Sequence, residues 1–502
     1  MSWETTALLA AVAAPFVTAA AIFALGEQRT GARTVVNLLG AGAAAIAALA
    51  GVVSAWERFA SGEFVEASIA LLDIGFGLRA DPLGVVFAAV AGVLWLITTV
   101  YAIGYMSHSA DRARFFGFFS ICVGSAIGIA LSANLLTFFV FYETLTLATY
   151  PLVAHSGTPA ALKGGRTYLS YALPAGAALA VGVIWLNLIA GPVEFTAGGS
   201  LDPALAITHG GSLVVIFALL MIGLGVKAAL FPFHGWLPAA MVAPAPVSSL
   251  LHAVAVVKAG VFGIARVVLE VYGPLARDLN LTPYLAALAG FTIIYGSVRA
   301  LAQDDFKKRL AFSTIAQLSY ITLGVALASP IAIAGGIAHL AHHAAMKITM
   351  FFTAGVVAEE VKVYRISEFD GLGRRMPLTM GAFSLAALGI VGVPPVAGFA
   401  SKWFLGVGSV QSGDGAWVIA VLGLSSVLNA AYFFPIIHRA WFRAPKAEWA
   451  AGPPAGSAEG DMRMVVPLVI TALIGLAMGV AAGADISPAS WALRIGLTEL
   501  PW

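Results

Sequence analysis

Long apolar runs, one after another, decide what this chain can become. A helix needs about 20 residues to cross a hydrocarbon layer. Cut by that rule, the 502-residue sequence gives about fourteen candidate spans, near 3–24, 32–54, 82–106, 114–132, 134–154, 168–190, 210–232, 246–269, 281–301, 311–329, 331–357, 378–408, 416–438 and 464–483. Hydrophobic residues make up 60% of the chain and charged ones 10%. A soluble fold of this size requires a charged shell that so few residues cannot supply. The expectation is an all-α polytopic membrane protein, one integral membrane domain over 1–502. The Pro- and Gly-rich stretch 444–463 reads as a cytoplasmic loop with at most one short surface helix. The first apolar run is preceded by an acid and no basic residue, which reads as a first transmembrane helix and not a cleaved signal.

The connecting segments sort by charge. With the amino terminus outside, the cytoplasmic loops carry Arg29, Arg33, Arg112, Arg114, Lys163, Arg166, Arg299, Lys307, Lys308, Arg309, Lys362, Arg365, Arg374, Arg375, Arg439, Arg443, Lys446 and Arg463. The opposite side keeps Arg58, Arg79, Arg277 and Arg494, and its segment 55–81 is acidic, with Glu57, Glu63, Glu66, Asp73 and Asp81. Basic residues favour the cytoplasmic side, so both termini are expected outside. Trp3, Trp56, Trp236, Trp441 and Trp491 sit near predicted span ends, as an interfacial belt would place them.

Two spans are interrupted. Prolines 232, 238, 244 and 246 break up GLGVKAALFPFHGWLPAAMVAPAPVSS, and Gly392, Pro394, Pro395 and Gly398 break up LGIVGVPPVAGFASKW. Irregular backbone at membrane depth survives where it lines a cavity, and broken helices in matching halves point to a central ion path. Grouped as 112–270 and 281–440, two five-helix repeats place their breaks in the fourth member, and odd-sized units in series come out inverted. The bland alternative is a pair of proline kinks whose lysines snorkel to the surface.

Those breaks lie beside Lys227 and Lys402, two of several ionisable residues set where a charge is costly unless it has a partner or a task. Glu143 lies near mid-span in LLTFFVFYETLTLATYPLVAH, and Lys227 is its expected partner, as a proton-sensitive switch or as a structural ion pair. Lys258 follows in SLLHAVAVVKAGVFGIARV. His339, His343 and Lys347 recur every four residues and share one helix side, which suits a relay of proton donors and acceptors. Hydrogen-bonded core histidines are the alternative reading. Spacing of two histidines at i, i+4 also suits a metal, but HExxH is absent and a lysine extends the face, so none is expected. Ser313, Gln317 and Tyr320 share a face of the preceding span, as water holders or as helix–helix glue. Arg266, nearer the exterior end, reads as an interface anchor. The single Cys122 allows neither an internal disulfide nor a cysteine cluster, and no cofactor is expected. No basic, aromatic-interleaved patch suggests nucleic acid. Gly223, Gly225 and Ala228 match a loose dinucleotide pattern, but no strand precedes them.

FYETLTLATYPLVAH, VKAALFPFHGWLPAAMVAPAPVSSLLHAVAVVKAGVF, DDFKKRLAFSTIAQLSY, HLAHHAAMKITMFFTAG and GVPPVAGFASKW together give the chain a close resemblance to a known family. It resembles the proton-translocating antiporter-like membrane subunits shared by Mrp-type multisubunit sodium/proton antiporters, respiratory complex I and membrane-bound hydrogenases. The resemblance implies about fourteen helices in two inverted five-helix repeats, each with a broken helix. It implies that Glu143 and Lys227 form the signature pair and that Lys258 and Lys402 continue the path. Lysine at position 402, together with the length, is similar to the D-subunit branch of the Mrp antiporters. The function implied is a transporter subunit, not an enzyme, moving protons in exchange for sodium. Its expected partners are a larger A-type antiporter-like subunit, small helical membrane subunits and the lipid bilayer. A proton-pumping subunit of a redox complex, or the proton module of a bicarbonate-uptake complex, is the alternative.

Overall fold

The computed structural model describes residues 2–58, 65–71, 74–445 and 459–499. Glu63, Asp73, Lys446 and residues 446–458, most of the expected cytoplasmic loop, lie outside the described residues. The chain opens with α1 (Trp3–Leu25) and α2 (Thr30–Arg58), then an antiparallel hairpin, β1 (Val65–Leu71) and β2 (Ile74–Ala80), which the helical reading did not anticipate. There follow α3 (Pro82–Tyr105), α4 (Arg112–Ala130), α5 (Leu135–Val153), α6 (Pro159–Ala190) and α7 (Leu205–Lys227). After α7 come the short α8 (Trp236–Ala239) and α9 (Ala245–Ser249), a π-helical stretch Leu250–Val254, α10 (Val256–Ala265) and a second π stretch Arg266–Tyr272. The second half holds α11 (Leu275–Asp278), α12 (Leu281–Leu301), α13 (Phe306–Ala326), α14 (Pro330–Val361), α15 (Leu372–Arg375), α16 (Pro377–Val391), α17 (Ala397–Gln411), α18 (Gly415–Phe442), α19 (Met462–Val480) and α20 (Pro488–Glu499).

Sequence chemistry explains the boundaries. Asp81, Asn134, Thr158 and Asp305 cap α3, α5, α6 and α13 by accepting a backbone N–H three residues on. Proline stands in the first turn of α3, α6, α14 and α16, where its missing N–H costs nothing.

Among the described residues, ten helices are long and apolar enough to cross a membrane. The other four of the about fourteen expected spans are α13, α14, residues 245–272 and the α16–α17 pair. α13 and α14 fall short because they carry polar side chains inward: serines, threonines and Gln317 on one, three histidines and Lys347 on the other. Residues 245–272 are divided by π turns, and Gly392 to Val396 separate α16 from α17. The chain is therefore a polytopic helical membrane protein with a break in the fourth helix of each five-helix group. Both breaks include a cis X–Pro bond, Phe231–Pro232 and Pro394–Pro395.

α14 runs through the middle, buried at every residue from Ala332 to Val357. Glycines let its neighbours approach: a Cβ on Gly336 would meet the Ile321 carbonyl at 2.8 Å, so α13 and α14 touch backbone to backbone. Sidedness follows from contacts. Glu4 pairs with Arg58 at 2.7 Å, and Trp56 stacks on Trp491 at 5.0 Å, so the two ends of the chain meet on one face. The other face joins Asp304 to Ser367 and Arg439 to Asp370.

Two expectations change. Trp236 is fully buried beside the first break, its Nε1 donating to Val226 O at 2.7 Å, and is not a belt residue. Arg266 is no interface anchor. It is buried, donates to both oxygens of Asp81 and to Glu270, and lies between the rings of Phe195 and Phe262.

Candidate functional site: a buried line of lysines and histidines

α7 ends at Lys227, because the turn at Ala228–Ala229 and Pro232 cannot continue the helix. Its ammonium, 2% exposed as a residue, donates to the Tyr142 carbonyl at 2.5 Å and sits 3.4 Å from the centre of the Tyr142 ring. The expected direct contact with Glu143 is therefore absent: the two form no ion pair, and Glu143 Oε1 has no hydrogen-bond partner. Glu143 is half-buried against α6, in space that Gly176 leaves open; a Cβ there would fall 2.7 Å from Oε1. The reason is rotational. Tyr142 and Glu143 are consecutive on a helix and point about 100° apart, and it is Tyr142 that faces α7.

Lys258 lies on α10, between the two π stretches. Gly260, two residues along, abuts the end of α7; a Cβ there would collide with the Ala228 amide. That close approach sets Lys258 near the first break, although no hydrogen bond joins it to Lys227 among the described residues. Lys258 Nζ turns instead to α14, donating to Leu340 O and meeting His343 Nδ1, both at 2.9 Å.

From His343 the line continues one helical turn to His339, ring centres 5.8 Å apart. His339 is held at both nitrogens, by Ser401 Oγ on Nδ1 at 2.8 Å and Gln317 Oε1 on Nε2 at 3.0 Å. Tyr320 lies between His339 and Lys402, its ring centre 5.4 Å from the imidazole centre and 5.2 Å from the Lys402 ammonium. Lys347 donates to Ser313 Oγ at 2.7 Å. Lys402 is caught by the second break: it donates to Ile390 O at 2.8 Å, Val391 O at 2.9 Å and Ser426 Oγ at 3.2 Å, the carbonyls being ones that α16 frees where it stops.

Lys258, His339, His343 and Lys347 are wholly buried, yet every hydrogen-bond partner of these two lysines is neutral: a carbonyl, a hydroxyl or an imidazole. No carboxylate hydrogen-bonds to either lysine. Glu143 and Lys402, the two ends, are the partly exposed members. The face Ser313, Gln317 and Tyr320 meets this line at three points. His342 and His252 lie buried beside it with neither ring nitrogen paired, His252 stacked on Phe351 at 4.3 Å. Among the described residues no group of three or more His, Cys, Asp or Glu is placed to hold a metal ion. Sequence reasoning missed Ser401, Ser426, Asn429 and Tyr432. The last two, at i, i+3 on α18, carried a signal: an amide and a phenol on one face of an otherwise apolar span.

Residues 132–428 match the family described as NADH:quinone oxidoreductase/Mrp antiporter, TM. The chain belongs to this family. Residues 67–116 match a second description, NADH-ubiquinone oxidoreductase (complex I), chain 5 N-terminus. All seven residues from Glu143 to Lys402 fall within the first match. This antiporter-like protein is 36% identical over 418 residues to NADH-quinone oxidoreductase subunit N of Desulforudis audaxviator, covering 81% of each chain. It is 31% identical over 426 residues to a probable K(+)/H(+) antiporter subunit of Rhizobium meliloti, covering 83% of this chain but 41% of that one. The chain thus spans less than half the length of the latter. Its fold is shared with a chain of the Mrp complex from Dietzia sp. DQ12-45-1b, at a TM-score of 0.85 and 23% identity over 100% of this chain and 98% of that one. A chain of the archaeal membrane-bound sulfane sulfur reductase gives the same score at 24% identity, covering 99% and 98%.

Proposed function

We propose that this chain is the proton-translocating subunit, of D type, in an Mrp-like multisubunit Na+/H+ antiporter of a bacterial or archaeal cytoplasmic membrane. The observation that carries the reading is the line itself: lysines in series with histidines, buried without acids, and emerging at Glu143 on one flank and Lys402 on the other. Protons enter this line from water on one side of the membrane and leave on the other. Its middle, Lys258–His343–His339, passes them laterally. Lys227, beside Glu143, senses the flank where a neighbouring antiporter-like subunit docks. Small helical subunits and a larger A-type one complete the assembly. The face that carries most basic residues is cytoplasmic, which leaves both termini outside.

A second reading has its own support. A relative matched over 81% of both chains is a quinone oxidoreductase subunit, so the same line could be driven by electron transfer. The two separate in everted vesicles bearing the native complex. Addition of Na+ should dissipate a respiratory pH gradient, with K+ as the comparison ion. No response to either cation, with redox subunits co-purifying and substrate oxidation building the gradient, would assign the chain to a redox pump.

A further inference from the structure

A hydrogen-bonded chain leads from Lys347 to the second break. Lys347 Nζ donates to Ser313 Oγ at 2.7 Å, Ser313 Oγ lies 2.9 Å from the Tyr432 hydroxyl, and that hydroxyl makes a short contact with Asn429 Oδ1. Asn429 Nδ2 then donates to Ile390 O at 3.4 Å. The same carbonyl accepts from Lys402 Nζ at 2.8 Å. Ser313, Asn429 and Tyr432 are wholly buried. Two lysines on different helices are thereby joined through three side chains and one carbonyl at the second break.

Hydroxyls carry one hydrogen each, so such a chain has a direction. With Lys347 as an ammonium, Lys347 donates to Ser313, and the Tyr432 hydroxyl spends its one hydrogen on Asn429 Oδ1, leaving the amide N–H for Ile390. With Lys347 as a neutral amine, its lone pair accepts from Ser313. Ser313 then accepts from Tyr432, and Tyr432 accepts from the amide nitrogen of Asn429, turned by half a rotation. That rotation withdraws the amide N–H from the Ile390 carbonyl and leaves the Lys402 ammonium as its side-chain donor.

We propose that Ser313, Tyr432 and Asn429 form a polarity switch that ties the proton on Lys347 to the proton on Lys402. No proton crosses the amide; what passes is the direction of the hydrogen bonds. The switch sits on a rigid mount. Arg309 donates to the Tyr432 carbonyl at 2.9 Å and the Tyr432 ring lies against Phe433 at 4.6 Å, so loss of the hydroxyl leaves the ring where it is. The inference rests on the proposed proton-translocating role and names positioning residues for it.

The test uses the whole complex in everted vesicles, with assembly of each variant checked by co-purification. Tyr432→Phe and Ser313→Ala should each lower the maximal rate of cation-driven proton movement about tenfold, the scale of one lost buried hydrogen bond. The half-saturating cation concentration should stay unchanged, and the double variant should be no slower than either single one, because both cut the same chain. Ser313→Thr, which keeps the hydroxyl, should restore transport, and this pair decides the matter if Tyr432→Phe does not assemble. Wild-type rates in Tyr432→Phe and Ser313→Ala, or multiplying losses in the double variant, would overturn the switch. Lys347→Ala is the control: inactive beside an active Tyr432→Phe, it removes the switch alone; active, it removes the relay reading as well.

Discussion

Arg266 and Lys258 are eight residues apart and buried alike, yet the protein treats them in opposite ways. Arg266 has the carboxylates of Asp81 and Glu270, and Lys258 has a carbonyl and an imidazole. A guanidinium so held is fixed, and it ties the start of α3 to the π stretch after α10. Removing one partner from a buried ion network leaves the others uncompensated, at a cost of about 3–5 kcal/mol. Arg266→Met should therefore lower the unfolding temperature of the detergent-solubilised protein, and adding Asp81→Asn and Glu270→Gln should restore much of it. An unchanged melting profile for Arg266→Met would show that the network contributes nothing. Glu270 follows Arg266 by four residues, but in the sequence Arg266 looked peripheral because its other partner, Asp81, lies 185 residues away. A single helix shows depth and facing, and nothing of what faces it.

At the scale of elements, legibility follows periodicity. The four-residue spacing of His339, His343 and Lys347 put them on one side of a helix, and Ser313, Gln317 and Tyr320 on one face of the preceding one; the structure brings these faces together. The two breaks were visible because proline and glycine are local signals. Rotation between helices was not: Glu143 was matched to Lys227 by depth, whereas Tyr142 holds that lysine. Asn429 and Tyr432 were overlooked because a lone amide or phenol in an apolar span has many ordinary explanations. The hairpin of β1 and β2 lay in a stretch read only for its acids, and α20 in one left without an element.

Across the whole molecule, charge sorted the loops. The contacts agree that the amino terminus, the α2–α3 connection and α20 share one face. If that face is external, a membrane-impermeant maleimide should label Ser200→Cys on intact cells and Lys163→Cys only in everted vesicles, both positions being exposed. The reverse pattern would invert the orientation. The native Cys122 is buried and does not interfere.

One line of buried basic groups running from flank to flank is what this architecture holds at its centre, and Lys258 is the link between the first break and the histidines of α14. The decisive measurement is cation-driven proton flux through the reconstituted complex carrying Lys258→Ala. The complex should assemble and bind its cation, with proton flux reduced to the level of protein-free vesicles. Flux at the wild-type rate would contradict the account, because among the described residues Lys258 is the side chain that hydrogen-bonds His343.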